Sequence, residues 1–413
     1  MIDLSDWVCE NMSIAEAAVE KGLCDHCLGR LFGKSGTGMT NDQRGRIIRD
    51  ALTEMGVDPK VPENCSLCED VFDVLGRFAE AAAESVLSVG SENFLIGTRV
   101  DPEISAKEEE LWKELGTENA ESIKTELNRE IGKLALPIIC RRVEFKNPQV
   151  VACVDTRFAD VTLDIAPIFI RGRYNKLSRE IPQTIWPCRV CKGKGCGRCN
   201  NIGKMYETSV QEIIGDVAVE MCGGKEHFLH GMGREDIDAL MLGTGRPFVL
   251  EISDPRIRDI DLAELERRAN LSDLSKFNSL SFTTREMVKD TKEAAPSNIY
   301  RVKVRAEGKV NKERVIEVAQ SFRNLCIDQR TPARVEHRRA DLVRNRRILW
   351  VEADPIDEET FDLTLETESG TYVKEFVSGD EGRSRPNFSE ALGVQCRVET
   401  LDVLAINDHE VMR

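Results

Sequence analysis

Eight of the fourteen cysteines in this 413-residue chain fall in four C-x-x-C pairs, and no other feature limits its fold so tightly. Cys24 and Cys27 are followed, after 37 intervening residues, by Cys65 and Cys68. Cys188 and Cys191 are followed almost at once by Cys196 and Cys199. Two thiolates three positions apart converge on one ion, and two such pairs make the closed four-sulfur set of a structural zinc site. Each set of four is therefore read as a structural Zn²⁺ site, the alternative for the second being a flexible linker whose cysteines bind metal weakly. His26, between two ligands, reads as a bystander. The glycines at 193, 195 and 197 supply the tight turns that the second set needs. Disulfides are not expected, because the chain reads as cytoplasmic. Its start carries no basic segment ahead of an apolar run, and no stretch approaches the roughly 20 apolar residues of a membrane helix. The other six cysteines (9, 140, 153, 222, 326 and 396) read as small buried apolar residues.

Around these sets the hydrophobic pattern is α+β. Thr40 or Asn41 caps a helix to Met55, with Ile47, Ile48, Leu52 and Met55 on one face, and residues 71–89 form a second amphipathic helix. From residue 94 the pattern becomes strand, helix, strand. One helix is expected over 108–136, and β-branched strands over 149–155 and 160–174. Beyond Met205 strands and helices alternate, and this half carries enough of both for a domain of its own on a mixed or antiparallel sheet. The expected boundaries are a Cys₄ segment over 1–75, a second domain over 76–175, a Cys-rich basic connector over 176–205 and a C-terminal domain over 206–413. Gly29-Arg-Leu-Phe-Gly33-Lys34-Ser35 has three residues between its glycines where a phosphate loop has four, and no strand precedes it, so it is not read as a nucleotide site.

The net charge of −15 argues against a polyanionic partner until its distribution is examined. Residues 171–204 hold nine Lys/Arg against the single acid Glu180, and 331–350 hold six Arg against Glu336 and Asp341. Residues 101–130 hold ten acids and four bases. A nucleic acid responds to local potential, so two basic stretches on an acidic body still bind RNA. Arg171, Arg173 and Lys176 in the first stretch, and Arg338, Arg339, Arg344 and Arg346 in the second, read as phosphate contacts. The cations among Cys188–Cys199 fit the same role.

The sharpest chemical motif is Gly233-Arg234-Glu235-Asp236, followed by a Gly-rich turn and an apolar strand, and much later by Ser369-Gly370-Thr371-Tyr372-Val373-Lys374 on an expected strand. CDHCLGRLFG (24–33), WPCRVCKGKGC (186–196), GREDIDALMLGTGRPF (233–248), QRTPARVEHRRADLVRNR (329–346) and SGTYVKEFVSGDEGRSRP (369–386) together resemble the archaeal-type tRNA pseudouridine synthases, which join an N-terminal THUMP-containing region to a C-terminal synthase domain. These motifs span nearly the whole chain. The resemblance implies a zinc-bearing THUMP-containing region, a synthase domain on a mixed or antiparallel sheet, and an activity on uridines 54 and 55 of the tRNA T-loop.

Carried over residue by residue, the family's aspartate falls on Asp236, its tyrosine on Tyr300 and its basic residue on Lys374. The aliphatic positions around the tyrosine fall on Val373, where isoleucine is commoner, and on Leu401. Ser297-Asn298 stands where the family often has a lysine. These enzymes break a uridine's N-glycosidic bond and rejoin the base through carbon, with no organic cofactor. The implied roles are Asp236 acting on the flipped-out uridine's ribose, Tyr300 beneath the base, and Lys374 keeping Asp236 ionised. Glu235 and Asp238 are expected to be dispensable. Arg234 and Arg246 support the site, and Arg246, with the arginines of 334–347, reads as a clamp on the RNA backbone. The implied partner is the T-arm of tRNA, bound by a monomer. A thiolation enzyme would show an ATP loop and a methyltransferase a Gly-rich cofactor loop, and neither appears. The remaining alternative is a non-catalytic zinc-bearing THUMP-type tRNA-binding protein.

Overall fold

The computed structural model describes residues 12–34, 38–116 and 118–408, apart from the side chains of residues 337 and 338. The chain divides into two compact units. One runs to Ala166 and includes Arg256–Arg258; the other comprises the rest from Pro167. Among the described residues no helix is long and apolar enough to cross a membrane.

The first unit opens with α1 (Met12–Glu20), α2 (Asp25–Arg30) and α3 (Asn41–Glu54), then a 3₁₀ turn, Val71–Val74, and α4 (Leu75–Leu87). Thr40 caps α3 as expected, its N–H donating to Gln43 Oε1 at 3.1 Å, and Ile48 and Leu52 are fully buried. Helices α2 and α3 touch backbone to backbone. A Cβ on Gly29 would stand 1.8 Å from the Asn41 carbonyl oxygen, and one on Gly45 would stand 2.1 Å from that of Asp25. Gly29 is thus a packing residue inside a helix, not part of a phosphate loop; Ser35 lies outside the described residues.

Next come β1 (Asn93–Arg99), α5 (Pro102–Leu115), α6 (Ile123–Ile139), β2 (Arg142–Val143), β3 (Val150–Asp155) and β4 (Asp160–Ile165). The sheet order is β2-β1-β3-β4, parallel except between β3 and β4. The single helix expected over 108–136 is two. Gly116, at φ +84°, closes α5, and Ser122 caps α6 by accepting from the Thr125 N–H at 3.2 Å. One apolar core runs from Ala15 on α1 to Ile165 on β4 and includes Cys27, Cys65 and Cys68. The Cys₄ segment expected over 1–75 therefore shares its core with the strands that follow.

The second unit is built on one sheet, and here the expected boundary moves. The strand expected over 160–174 breaks at Pro167, whose missing N–H ends the β4 ladder. The chain resumes as β5 (Ile168–Lys176), which pairs with β7 (Leu240–Ile252) on one side and β8 (Ser275–Thr283) on the other. Residues 168–176 thus belong to the second unit, and a fragment starting near Met205 would lack one of its interior strands. The covering helices are α7 (Val210–Cys222), α8 (Leu262–Ala269), α9 (Arg285–Glu293) and α10 (Lys312–Ser321). The remaining strands are β6 (His227–Gly231), β9 (Asn298–Ala306), β10 (Leu325–Arg330), β11 (Val343–Pro355), β12 (Thr360–Thr367), β13 (Ser384–Arg385) and β14 (Cys396–Ile406). Their order is β13-β10-β11-β12-β9-β14-β7-β5-β8, with β6 beside β7. Only β14 and β7 run parallel, so the sheet is mixed.

Two apolar cores fill this unit. One centres on Phe322, Phe361, Phe376 and Phe388, the other on Tyr174, Phe248 and Phe277. Tyr300 on β9 packs against both.

Tyr372-Val373-Lys374 is not on a strand. Tyr372 is the N-cap of α11 (Val373–Ser378), which precedes α12 (Phe388–Leu392). Gly370, at φ +79°, turns the chain, and the Gln329 amide accepts from the Tyr372 N–H at 2.8 Å while donating to its carbonyl at 2.9 Å. Val373, Phe376 and Val377, at helical spacing, then enter the core.

Candidate active site

The turn between β6 and β7 carries Gly233 to Asp236. Gly233 has φ +79°, a conformation that favours glycine, and a Cβ there would stand 2.8 Å from Arg246 Nη1 and push that guanidinium aside. Glu235, expected to be dispensable, is the buried anchor of the turn. Its carboxylate accepts from Arg246 Nε at 2.7 Å and from the Tyr174 hydroxyl at 2.9 Å. Arg246 Nη1 also donates to the Met232 carbonyl at 2.7 Å, and Gln183 Nε2 donates to Tyr174 Oη at 2.8 Å and to the Gly233 carbonyl at 3.1 Å. Burial, with the Glu235 carboxylate adding to it, pushes the Tyr174 phenol far above its ordinary range and keeps it a donor. Arg246 is 3% exposed, so the reading of it as an RNA clamp is corrected: it braces the loop from inside.

Lys176 is corrected likewise. It is fully buried on β5, and its ammonium donates to the carbonyls of Ile237 at 2.6 Å and Ile181 at 3.2 Å, with Asp236's own carbonyl 3.4 Å away. Burial pushes it down to about 8, against the pull of Glu235 and Asp238. Its place is beneath the Asp236–Ile237 backbone, where no phosphate reaches. Arg173 is tied to Asp408 at 2.6 Å and to the Gly245 carbonyl at 3.0 Å, so its charge is already answered, whereas Arg171, half-buried, donates from Nε to Ser281 Oγ at 2.9 Å. The Arg338 side chain lies outside the described residues.

Asp236 itself is half-exposed. Arg334 Nη1 lies 3.0 Å from its carboxylate and Lys374 Nζ 3.6 Å away. Lys374 is nearer to Asp238, at 2.8 Å, while Arg334 Nε is held by Glu375 at 2.7 Å. The expected pairing of Lys374 with Asp236 is therefore one of two, and the shorter is made by Arg334, read from sequence as an RNA clamp. Burial works to raise the Asp238 carboxyl, but its hydrogen bond from Lys374 prevails and leaves it below the ordinary range.

A cavity of about 490 Å³ opens on this carboxylate. Asp236, Arg334 and Lys374 line one part, and Tyr300, Val373, Leu401 and Val403 another. Tyr300 pairs with Val403 of β14 across the sheet, and its hydroxyl accepts from Asn298 Nδ2 at 3.1 Å. Burial raises its phenol above the ordinary value, so near neutrality it carries its proton. Arg339 reaches this cavity and donates to the Tyr372 hydroxyl at 3.0 Å. Arg344 donates to Thr331 Oγ1 at 3.1 Å, and Arg346 to the Asn345 carbonyl at 3.0 Å. Arg234 lays its guanidinium 5.0 Å from the centre of the Trp186 ring. The lining is mostly polar, with Tyr300, Val373, Leu401 and Val403 as its apolar members, so the cavity offers a ring an aromatic side chain to stack on and a carboxylate flanked by two cations.

The two cysteine sets are both assembled. In each, the four sulfurs lie within 4.8 Å of one another, and all thirteen described cysteines are free thiols. The sulfurs approach to 3.7 Å between Cys24 and Cys68 and 3.9 Å between Cys188 and Cys196, well beyond the roughly 2.05 Å of a disulfide. Four converging thiols without bonds between them fit a bound metal ion.

Residues 169–407 match the family model of the Pus10 C-terminal domain, and residues 78–155 that of the archaeal Pus10 THUMP domain. A tRNA pseudouridine synthase Pus10 of Methanothermobacter marburgensis is 41% identical over 393 residues, covering 94% of this chain and 95% of that one. That of Pyrococcus furiosus is 40% identical over 95% and 97% of the two chains, and that of Halorubrum lacusprofundi 35% identical over 97% of each.

Proposed function

The chain belongs to the Pus10 family of tRNA pseudouridine synthases, and we propose that it isomerises uridines 54 and 55 in the T-loop of tRNA, with Asp236 as the catalytic group. The observation that carries this reading is the half-exposed Asp236 carboxylate between Arg334 and Lys374, at the mouth of a cavity floored by Tyr300, Leu401 and Val403.

The T-loop uridine is stacked in folded tRNA and must be flipped out, at a cost of roughly a few kcal/mol. In the cavity its base rests on Tyr300, and its ribose meets Asp236. The carboxylate acts as nucleophile at C1′ or removes a proton at C2′. The N1–C1′ bond breaks, the base turns, and C5 bonds to C1′, either displacing the Asp236 carboxylate or with Asp236 returning the proton to C2′; the C5 proton is then passed on to solvent while N1 gains one. No oxidant or organic cofactor enters this balance. Arg334 and Lys374 neutralise the carboxylate's surroundings as the sugar is enclosed. The buried Glu235–Arg246–Tyr174 group and Lys176 hold the loop so that Asp236 meets the ribose in one geometry.

Zinc is the metal best suited to the two Cys₄ sets, as a structural ion that takes no part in the reaction. The T-arm of tRNA as partner, a monomeric state and a cytoplasmic setting that keeps the cysteines reduced complete the reading. Arg339, Arg344 and Arg346 remain as phosphate contacts.

The test is turnover of an unmodified tRNA transcript without ATP or methyl donor, with pseudouridine mapped by carbodiimide primer extension. Asp236→Asn should abolish product while leaving tRNA affinity within a few-fold. Full activity in that variant, or product at neither T-loop position in the wild type, would overturn the reading.

A further inference from the structure

A second cavity, also of about 490 Å³, adjoins the first. The two share the Arg234–Asp236 turn, Arg334, Arg339 and Lys374 as a common wall, and the second adds Trp186, Ile237 and Asp238. The chemistry described above uses only the first.

Trp186 gives the second cavity its large flat surface. The Arg234 guanidinium covers the indole at 5.0 Å, and Tyr206 meets the same ring edge-on at 5.6 Å. A guanidinium lying on an indole is a platform on which any nucleobase stacks, because every base has a π-face. The charges suit an RNA strand. Four cations, Arg234, Arg334, Arg339 and Lys374, line the cavity with three acids; Glu235 is paired with Arg246 outside this lining, and Asp236 and Asp238 with Arg334 and Lys374 within it. Trp186 is also held in place. Its carbonyl accepts from the Met205 N–H at 2.9 Å, Pro187 bridges to Lys204, and the Cys188 N–H donates to the Gly203 carbonyl at 2.8 Å. The platform thus stands at the base of the hairpin that Cys188, Cys191, Cys196 and Cys199 close.

Resting on the reading that the first cavity takes a flipped uridine, we propose that the second is a subsite for a nucleotide adjacent to it, whose base stacks on the Arg234–Trp186 pair. A strand that sends one nucleotide past Asp236 into the first cavity carries its neighbour along the shared wall, and the second cavity is what that neighbour meets. The subsite accepts any base identity, since stacking rather than edge contacts holds it.

The experiment is a two-by-two cycle on the full-length protein. Wild type and Trp186→Ala are compared on an intact T-arm RNA and on RNAs made abasic at either neighbour of the target uridine. Trp186→Ala should raise KM about tenfold and leave kcat within about twofold. Trp186→Phe should recover most of the loss, which a merely misfolded variant would not. An abasic site at one neighbour should cost the wild type a similar factor and cost Trp186→Ala almost nothing more. Wild-type turnover on the intact RNA reports on the underlying reading, and the coupling between Trp186 and the abasic position reports on the subsite. Losses that simply multiply at both neighbours, or an unchanged KM in Trp186→Ala, would overturn the proposal.

Discussion

Two four-cysteine sets of the same kind sit in unlike surroundings. The first cysteine set sits in the core of the N-terminal unit, with Cys27, Cys65 and Cys68 at 2% exposure or less. Beneath it lies a buried ionic cluster: Arg30 donates to Glu108 and Glu126 at 3.1 Å each and to Cys27 Sγ at 3.5 Å, and His26 bonds Glu126 at 2.9 Å while stacking on Phe72. The second set closes a hairpin whose other residues are largely exposed, Val190 and Ile202 among them. The length of chain enclosed differs as well, with 37 residues between the two pairs in the first case and four in the second. Loop-closure entropy makes the longer constraint worth about 2 kcal/mol more against the unfolded chain. The first set therefore staples a fold, whereas the second shapes a surface beside the Gly233–Asp236 turn.

The comparison is broken most directly by Cys65→Ser. Elemental analysis should find about two zinc ions per wild-type chain and one in the variant, whose N-terminal unit should become protease-sensitive, since structural zinc supplies on the order of 10 kcal/mol in small modules. A metal-free but protease-resistant N-terminal unit would contradict it. Arg30→Met comes next. It leaves Glu108 and Glu126 buried without their partner and should cost about 3–5 kcal/mol in denaturant melts of that unit, while pseudouridine formation per folded molecule is retained. Cys196→Ser should behave otherwise: the catalytic unit stays folded, melting within about 2 kcal/mol of wild type, and the damage appears as a raised KM for tRNA with kcat nearly unchanged. Collapse of the catalytic unit in that variant would erase the distinction between the sets. The smallest effect is expected for Lys192→Ala on the exposed hairpin. It should lower tRNA affinity a few-fold and reduce the slope of log affinity against log salt by about one.

The same contrast explains what could be read in advance. Cysteine spacing carries metal-binding capacity, and all eight cysteines gather in the two sets their pairs imply. Spacing says nothing of burial, so the unlike surroundings of the two sets were not foreseeable beyond the hint in loop length. Asp236, Tyr300, Lys374, Val373 and Leu401, taken from the family resemblance, all line one cavity. The cations misled because sequence records charge but not solvent. Lys176 and Arg246 lie within basic or Arg-containing stretches, yet both are inside the protein and brace the Gly233–Asp236 loop. A usable signal existed at Tyr174 and Lys176: two positions apart on a strand, they face the same way, and Tyr174 is plainly a core residue. Glu235 was underestimated for the same reason, and Arg334 because its partner Glu375 sits 41 positions away. Val373 and Lys374 were misplaced onto a strand because three residues after a glycine turn are too few to tell period 2 from period 3.6.

The backbone contact between α2 and α3 has a consequence for how sequences of this kind can drift. Where side chains separate two helices, a larger residue at one position can be answered by a smaller one opposite, and the pair wanders together over generations. At Gly29 and Gly45 the opposing atoms are main-chain carbonyls, which no substitution can trim. Neither position has a partner able to compensate, so each is closed to change whatever happens elsewhere. In a saturation library scored for folding, Gly29 and Gly45 should rank with the buried cysteines of the first set as the least permissive sites of the N-terminal unit, though they bear no ligand, charge or side chain at all.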